Sequence, residues 1–253
     1  MNTHFIRGNI INQPELKYTP KGLPILTLNV GGGTEKRRWY HRTAVYGNIA
    51  EIIADTPINT AVAMHCNVQQ RESANGFKYS NLVANEIRLV EPLPTDTIST
   101  DANGNELLIA ADPTLSSWGL ISGNLTRDAR VGDTSRGQVA NAHVAINEFV
   151  KGESITTYIQ VSAFSDQPSF ESVASLTKGA YVIAQGMLVI NRWTDNDGRN
   201  RYDPNLLAES ILLGMKNGLG ATVSREKVKP HTPMPGRPPA FSNDDLDDAD
   251  LPF

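Results

Sequence analysis

Ile25-Leu26-Thr27-Leu28-Asn29-Val30 sets apolar against polar side chains with a period of two, the pattern of a strand with one buried face. At an offset of 114, Val139-Ala140-Asn141-Ala142-His143-Val144 repeats it. Working outward, Gly8-Asn9-Ile10 recurs as Gly123-Asn124-Leu125 and Lys21-Gly22 as Arg136-Gly137, both 115 residues on. Tyr40 and Tyr46 match Tyr158 and Phe164 at 118, and Asn75-Gly76 matches Asp197-Gly198 at 122. One order kept through every pair, with offsets that drift slowly, is the mark of a duplicated domain with insertions in its loops. The two copies occupy residues 1–92 and 113–214.

Each copy reads as strands with one short helix. Ile155 to Phe164 is rich in β-branched and aromatic residues, as a strand should be. Helices are expected over Asn48–Ala54 and Pro168–Leu176, where Pro168 suits a first turn. The last two strands of each copy join through Asn75-Gly76 or Asp197-Gly198, dipeptides that tolerate the positive φ of tight hairpins. Three strands, a helix and a hairpin form the order of an OB-fold, an all-β, five-stranded barrel that commonly binds oligonucleotides. Another small barrel would give the same pattern. Residues 93–112 are polar and turn-rich and read as a linker, with Leu107 to Ala111 a candidate extra edge strand. Residues 215–253 are dominated at first by Gly, Pro and Lys and read as a disordered tail.

The chain has 253 residues and a net charge of −4, which as a single number argues against an anionic partner. By segment the net charges are +3 (1–92), −4 (93–112), −2 (113–214) and −1 (215–253), so the first barrel is basic. The acidity is expected in segments that do not touch nucleic acid. The single cysteine excludes an internal disulfide framework and Cys-rich metal sites. No apolar run approaches the ~20 residues of a membrane span, and the start lacks a signal peptide's layout. A cytoplasmic setting is the resulting expectation.

The catalytic readings fail. Gly31-Gly32-Gly33-Thr34-Glu35-Lys36 lacks a P-loop's Gly-Lys-Ser/Thr ending and reads as a mobile loop between strands. Asp195-Asn196-Asp197-Gly198 has its glycine too early for a calcium loop and no Glu at the twelfth place. His65-Cys66 has no spaced companions for a metal. No nucleophile–base or paired-carboxylate constellation repeats, so the chain is expected to be no enzyme and to need no cofactor or metal.

The binding signal is an interleaving of cations with aromatics. Arg37, Arg38, Trp39, Tyr40 and Arg42 crowd one strand; Arg192, Trp193, Arg199, Arg201 and Tyr202 flank the second hairpin, and Arg71 and Lys78 the first. Single-stranded nucleic acid exposes base faces and phosphates together, so it suits such a surface: rings stack on any base while Arg and Lys follow the backbone. The tip, Asp244-Asp245-Leu246-Asp247-Asp248-Ala249-Asp250-Leu251-Pro252-Phe253, adds two apolar residues around a proline to an acidic run. Solubility gives no reason for that ending. A partner pocket does: the Phe253 ring fills an apolar cavity, its carboxylate meets a Lys or Arg, and the Asp side chains steer the encounter, so Asp247, Asp248, Asp250, Leu251, Pro252 and Phe253 are the docking candidates.

These residues resemble the bacterial single-stranded DNA-binding protein family, SSB, in the subgroup with two OB-folds per chain. The carrying motifs are Gly123-Asn124-Leu125 with Asp128, Tyr40-His41-Arg42 running to Tyr46-Gly47, Ala50-Glu51, Arg192-Trp193-Thr194-Asp195 running to Gly198, Arg201-Tyr202, and the acidic Asp-Leu-Pro-Phe end. The resemblance implies base stacking on Tyr40 and Tyr46, and on Tyr158, Phe164 and Trp193, with Arg42 beside the first and Phe149 near a further stacking position. It implies coating of single strands in replication, recombination and repair without strong sequence preference, with partner proteins recruited through the tip. It also implies a homodimer carrying four barrels, and a place on the nucleoid. Two departures stand out: Arg71-Glu72 where the second copy has Arg192-Trp193, and Ile159-Gln160 where the first has His41-Arg42. Unequal barrels are therefore expected. Rival readings are an RNA-binding OB-fold module, a protein-interaction scaffold and, more remotely, a nuclease.

Overall fold

The computed structural model describes residues 1–72, 78–135, 137–150, 153–194 and 200–214. The two hairpin dipeptides and the tail from 215 onward lie outside these residues. The first copy forms β1 (Asn2–Ile10), β2 (Glu15–Tyr18), β3 (Pro24–Thr34), β4 (Arg37–Tyr46), α1 (Asn48–Ile53), β5 (Ala61–Glu72) and β6 (Lys78–Leu89). β1 pairs β3, β3 pairs β4, β4 pairs β6 in parallel, β6 pairs β5, and β5 returns to β1. That circuit closes a five-stranded barrel, with β2 attached to β3 outside it. Ile6, Leu26, Leu28, Val45, Val62 and Met64 fill its interior.

Residues 93–112, read as a linker, are folded. They form the hairpin β7 (Thr97–Thr100) and β8 (Glu106–Ile109), and β8 adds to β3 in parallel, Leu108 opposite Gly32. Leu107, Leu108, Ile109 and Ala110 are buried, so the expected edge strand is present as β8. Arg7 fastens the segment: its two terminal nitrogens donate to Asp96 at 2.5 and 2.8 Å, and its Nε donates to the Leu115 carbonyl at 3.0 Å. The guanidinium holds the Asp96 carboxyl below the usual carboxylate range.

The second copy repeats the plan as β9 (Ser117–Leu125), β10 (Arg130–Thr134), β11 (Gly137–Val150), β12 (Glu153–Phe164), α2 (Phe170–Ala174), β13 (Tyr181–Thr194) and β14 (Asn200–Gly214). Its closure runs β9–β11–β12–β14–β13–β9, again with one parallel pair, β12 with β14. The fold is therefore two tandem OB-folds, as the repeat predicts. Pro168 lies two residues ahead of α2 and not in its first turn. The Gly31-Gly32-Gly33 run is buried strand in β3, not a loop.

The barrels are joined by their first strands. β1 pairs β9 antiparallel from Asn2↔Ile121 to Ile6↔Ser117, so one sheet runs through both barrels. His4 and Gly119 occupy equivalent positions of the repeat, and they face each other in this register. A Cβ at Gly119 would stand 2.5 Å from His4 Nδ1, so glycine is what lets the imidazole sit on the local two-fold.

Two neutral histidines line this seam. His4 Nε2 donates to Asn2 Oδ1 at 3.1 Å. The Ser117 hydroxyl donates to the Leu188 carbonyl at 2.8 Å, so His41 Nε2, 3.0 Å away, must donate to that hydroxyl. Burial, reinforced by a neighbouring imidazole in each case, depresses both pKa values to about 3. Below pH ~6.5 the unfolded chain takes up protons that the folded seam refuses, so stability falls from there toward pH 3 and is unaffected above. His41→Gln keeps an N–H donor for Ser117. Urea titrations should show its acid loss shallower than the parent's by up to about 1.4 kcal/mol per pH unit, one histidine's share.

Candidate nucleic-acid interface

β4 sorts its cations and aromatics by parity. Arg38, Tyr40 and Arg42 are exposed on one side, while Trp39, His41, Thr43 and Val45 are buried on the other. The sequence reading placed Trp39 among the stacking residues; adjacent strand residues cannot share a face, and Trp39 is 3% exposed. Its Nε1 donates to Ser116 Oγ at 2.7 Å, Ser116 donates to the Gly33 carbonyl at 3.0 Å, and its ring stacks on His41 with centroids 4.7 Å apart. Trp39 is thus part of the seam between barrels. The glycine run follows from this: a Cβ at Gly32 would come within 2.6 Å of the Trp39 ring, and one at Gly31 within 2.6 Å of Leu107.

Tyr40 is 45% exposed and Tyr158, its equivalent on β12, 42%. Gly31 stands opposite Tyr40, where Leu107 takes up the space a side chain would need, and Ala145 stands opposite Tyr158. Tyr46 and Phe164 share their parity and are half-buried. Around Tyr158 the same face carries His143, Asn141 and Gln160; Gln160 Nε2 donates to Asn141 Oδ1 at 2.8 Å. Burial and then the Arg127 charge, with Arg130 adding a little, hold the His143 pKa below its ordinary value, and Asp203 opposes them. Arg127, Arg130 and His143 were not among the candidate residues. Alternation along β11 finds His143, which faces Gln160; Arg127 and Arg130 lie outside that strand.

The two faces meet. Gln70 on β5 donates to the Tyr158 carbonyl at 3.2 Å and accepts from the Tyr158 amide at 3.0 Å. The Arg37 guanidinium lies 5.8 Å from the centre of the Phe164 ring, within cation–π range. Arg37 therefore points across the seam and not along the face of Arg38 and Arg42. A groove of about 290 Å³ opens there, lined by Lys36, Arg37, Phe164, Gln167 and the acidic Asp166 and Glu209.

Tyr202 is 49% exposed, but it is out of step with Asn205, which joins Ser162 on the Tyr158 side at 2.9 Å. Alternation along β14 therefore puts Tyr202 on the other side. The register pairs Trp193 with Arg201, Arg192 with Tyr202 and Arg71 with Tyr79, and brings Lys78 opposite Glu72 and Phe149 opposite Ser154. Beyond that backbone placement, the side chains of Phe149, Trp193, Arg71, Lys78, Arg192 and Arg201 are not described. Arg199 and the tip, Asp247, Asp248, Asp250, Leu251, Pro252 and Phe253, fall outside the described residues altogether.

The family model described as the single-strand binding protein family matches residues 119–213, the second barrel. A single-stranded DNA-binding protein of Thermus thermophilus is 31% identical over 225 residues, covering 82% of this chain and 81% of that one. The chain belongs to the single-strand binding protein family. A second relative with the same name, from Deinococcus radiodurans, is 27% identical over 254 residues, covering 92% of this chain and 82% of that one. The crystal structure of the wild-type single-stranded DNA binding protein from Thermus aquaticus shares the fold, with a TM-score of 0.64 at 22% identity over 89% of this chain and 98% of that one. Membership in a family of binding proteins agrees with the reading of the chain as a binder without a catalytic site. No group of His, Cys, Asp and Glu among the described residues could hold a metal, and no helix among them is long and apolar enough to cross a membrane.

The burial of Trp39 separates it from its neighbour in a direct way. In anisotropy titrations with a labelled oligo-dT, Tyr40→Ala should weaken binding by about 1–3 kcal/mol, the usual value of one stacked base. Trp39→Phe should leave affinity unchanged and lower the thermal midpoint instead, having lost its bond to Ser116.

Proposed function

We propose that the chain binds single-stranded DNA without strong sequence preference, using both barrel faces. Bases stack on Tyr40, Tyr46, Tyr158 and Phe164, and phosphates meet Arg38 and Arg42 on the first barrel and Arg127 and Arg130 on the second. Trp193, Phe149, Arg71, Lys78, Arg199 and Arg201 are assigned to the same contact from their sequence pattern. One observation carries the reading: equivalent positions of the two barrels hold an exposed tyrosine, Tyr40 and Tyr158, on a face shared with cationic or polar side chains. Stacking is indifferent to base identity because every base has a π-face, which is why sequence preference is weak. The relatives named single-stranded DNA-binding proteins support the choice of DNA.

Such coating serves strands exposed in replication, recombination and repair, in the cytoplasm on the nucleoid. The tip from Asp247 to Phe253 recruits partner proteins to the coated strand. Two chains form a homodimer with four barrels. Support for the pairing comes from Tyr181, Ile183 and Leu212, exposed apolar residues on one sheet where Ile183 faces Leu212.

Anisotropy titrations with labelled dT, U and duplex oligomers over a salt series test the reading. Tight binding of dT that weakens steadily with salt, with U and duplex bound more weakly, is the expected result. Absence of dT binding at low salt, or preference for duplex or U, would overturn it. Deleting Leu251 to Phe253 should leave dT affinity in place; weaker binding would contradict the role given to the tip.

A further inference from the structure

The acidic hairpin β7–β8 does more than connect the barrels. It reaches the exposed side of β4 with side chains as well as backbone. The Tyr40 hydroxyl donates to Asp101 Oδ2 at 3.1 Å, and Arg38 donates to Ser99 Oγ at 3.2 Å while a second nitrogen of the same guanidinium donates to the Thr34 carbonyl. Both residues on β4 belong to the face assigned to nucleic acid. Beneath these contacts the hairpin cannot drift, because Leu107 and Leu108 are fully buried and the Ala110 amide donates to the Gly33 carbonyl at 2.9 Å.

The second barrel provides an internal control. Tyr158 is as exposed as Tyr40, but among the described residues no hairpin covers its strand and its hydroxyl has no hydrogen-bond partner. Among these residues the tyrosine tied at the far end of its ring is that of the first barrel.

An anionic group beside a phosphate-binding face repels phosphate, and Asp101 keeps its charge; what it contributes is position. Its carboxylate accepts from the Asn103 amide at 2.8 Å, the Asn105 amide at 3.0 Å, the Asn105 side chain at 3.0 Å and Tyr40. These bonds, the Asn105 side chain first among them, hold its carboxyl below the ordinary range. Four donors fill the acceptor positions of one carboxylate, which makes it a fixed anchor for the tyrosine hydroxyl.

We propose that Asp101 is a positioning residue for single-strand binding: through the Tyr40 hydroxyl it fixes the ring as a base platform, and the β7–β8 hairpin is a working part of the first barrel's site. A side chain that is already immobilised loses less freedom when a base stacks on it, so the bond strengthens binding without touching the ligand. The inference rests on the reading of this face as a single-strand site.

The test is a double-mutant cycle read by anisotropy with a labelled dT oligomer. Asp101→Ala and Tyr40→Phe should each weaken binding about threefold, a modest loss in keeping with one solvent-exposed hydrogen bond. The double variant should be no weaker than either single one. Tyr40→Phe leaves the turn bonds of Asp101 in place, so it reports on the latch even if Asp101→Ala disturbs the hairpin. Tighter or unchanged binding by Asp101→Ala, unchanged binding by Tyr40→Phe, or losses that multiply in the double variant would overturn the proposal. Failure of the unaltered protein to bind dT would instead remove the reading on which it rests.

Discussion

The antiparallel pairing of β1 with β9 is the constraint on which the rest depends. Each first strand divides one edge between two partners. Its far end closes its own barrel, at Asn9–Ile10 against β3 or Asn124–Leu125 against β11, and the remainder pairs with the other barrel. Antiparallel pairing of equivalent strands imposes a local two-fold, and a two-fold brings a residue opposite its own counterpart. At that point the sequence is asymmetric, His4 against Gly119, because two side chains of imidazole size have no room there. The seam then draws in His41, Trp39, Ser116 and Ser117, which is why the aromatic that looked most like a binding residue is spent on holding the barrels together.

Joined in this way, the barrels are placed by more than a tether. Arg37 over Phe164 and Gln70 on the Tyr158 backbone bring elements of the first barrel to the face of the second. The linker completes the arrangement on the other side, with Asp101 and Ser99 set against Tyr40 and Arg38. The expectation that acidic segments keep clear of the nucleic-acid face fails for residues 93–112: Asp96 is paired with Arg7, whereas Asp101 is held in its charged form by four neutral donors, one of them Tyr40. Net charge by segment describes the long-range field, not where an individual carboxylate is fixed.

Much of the fold was legible because duplication doubles the signal. Offsets of 114 to 118 between alternating runs located equivalent strands, and both barrels close as the strand–helix–hairpin order requires. Tyr40 and Tyr158 were found because they lie on a strand with a repeat behind it. Trp39 was misjudged because composition was read without parity: a run of Arg-Arg-Trp-Tyr-His-Arg is two faces, not one. The glycine run misled for a related reason. Glycine without a stated partner suggests a loop, and only the structure shows Trp39 and Leu107 occupying the space that side chains at Gly31 and Gly32 would need. Arg127, Arg130 and His143 escaped notice because they come together only when β10 folds on β11.

Because the seam holds both barrels in one continuous sheet, a single strand should engage both barrels of a chain. The most direct measurement is affinity and stoichiometry for dT oligomers of increasing length at fixed salt. The salt dependence should steepen, and the affinity rise, when the oligomer becomes long enough to leave the first barrel and reach the second, with the number of oligomers bound per chain falling at the same length. Affinity that levels off at the length of one barrel, with two oligomers per chain at every length, would contradict it.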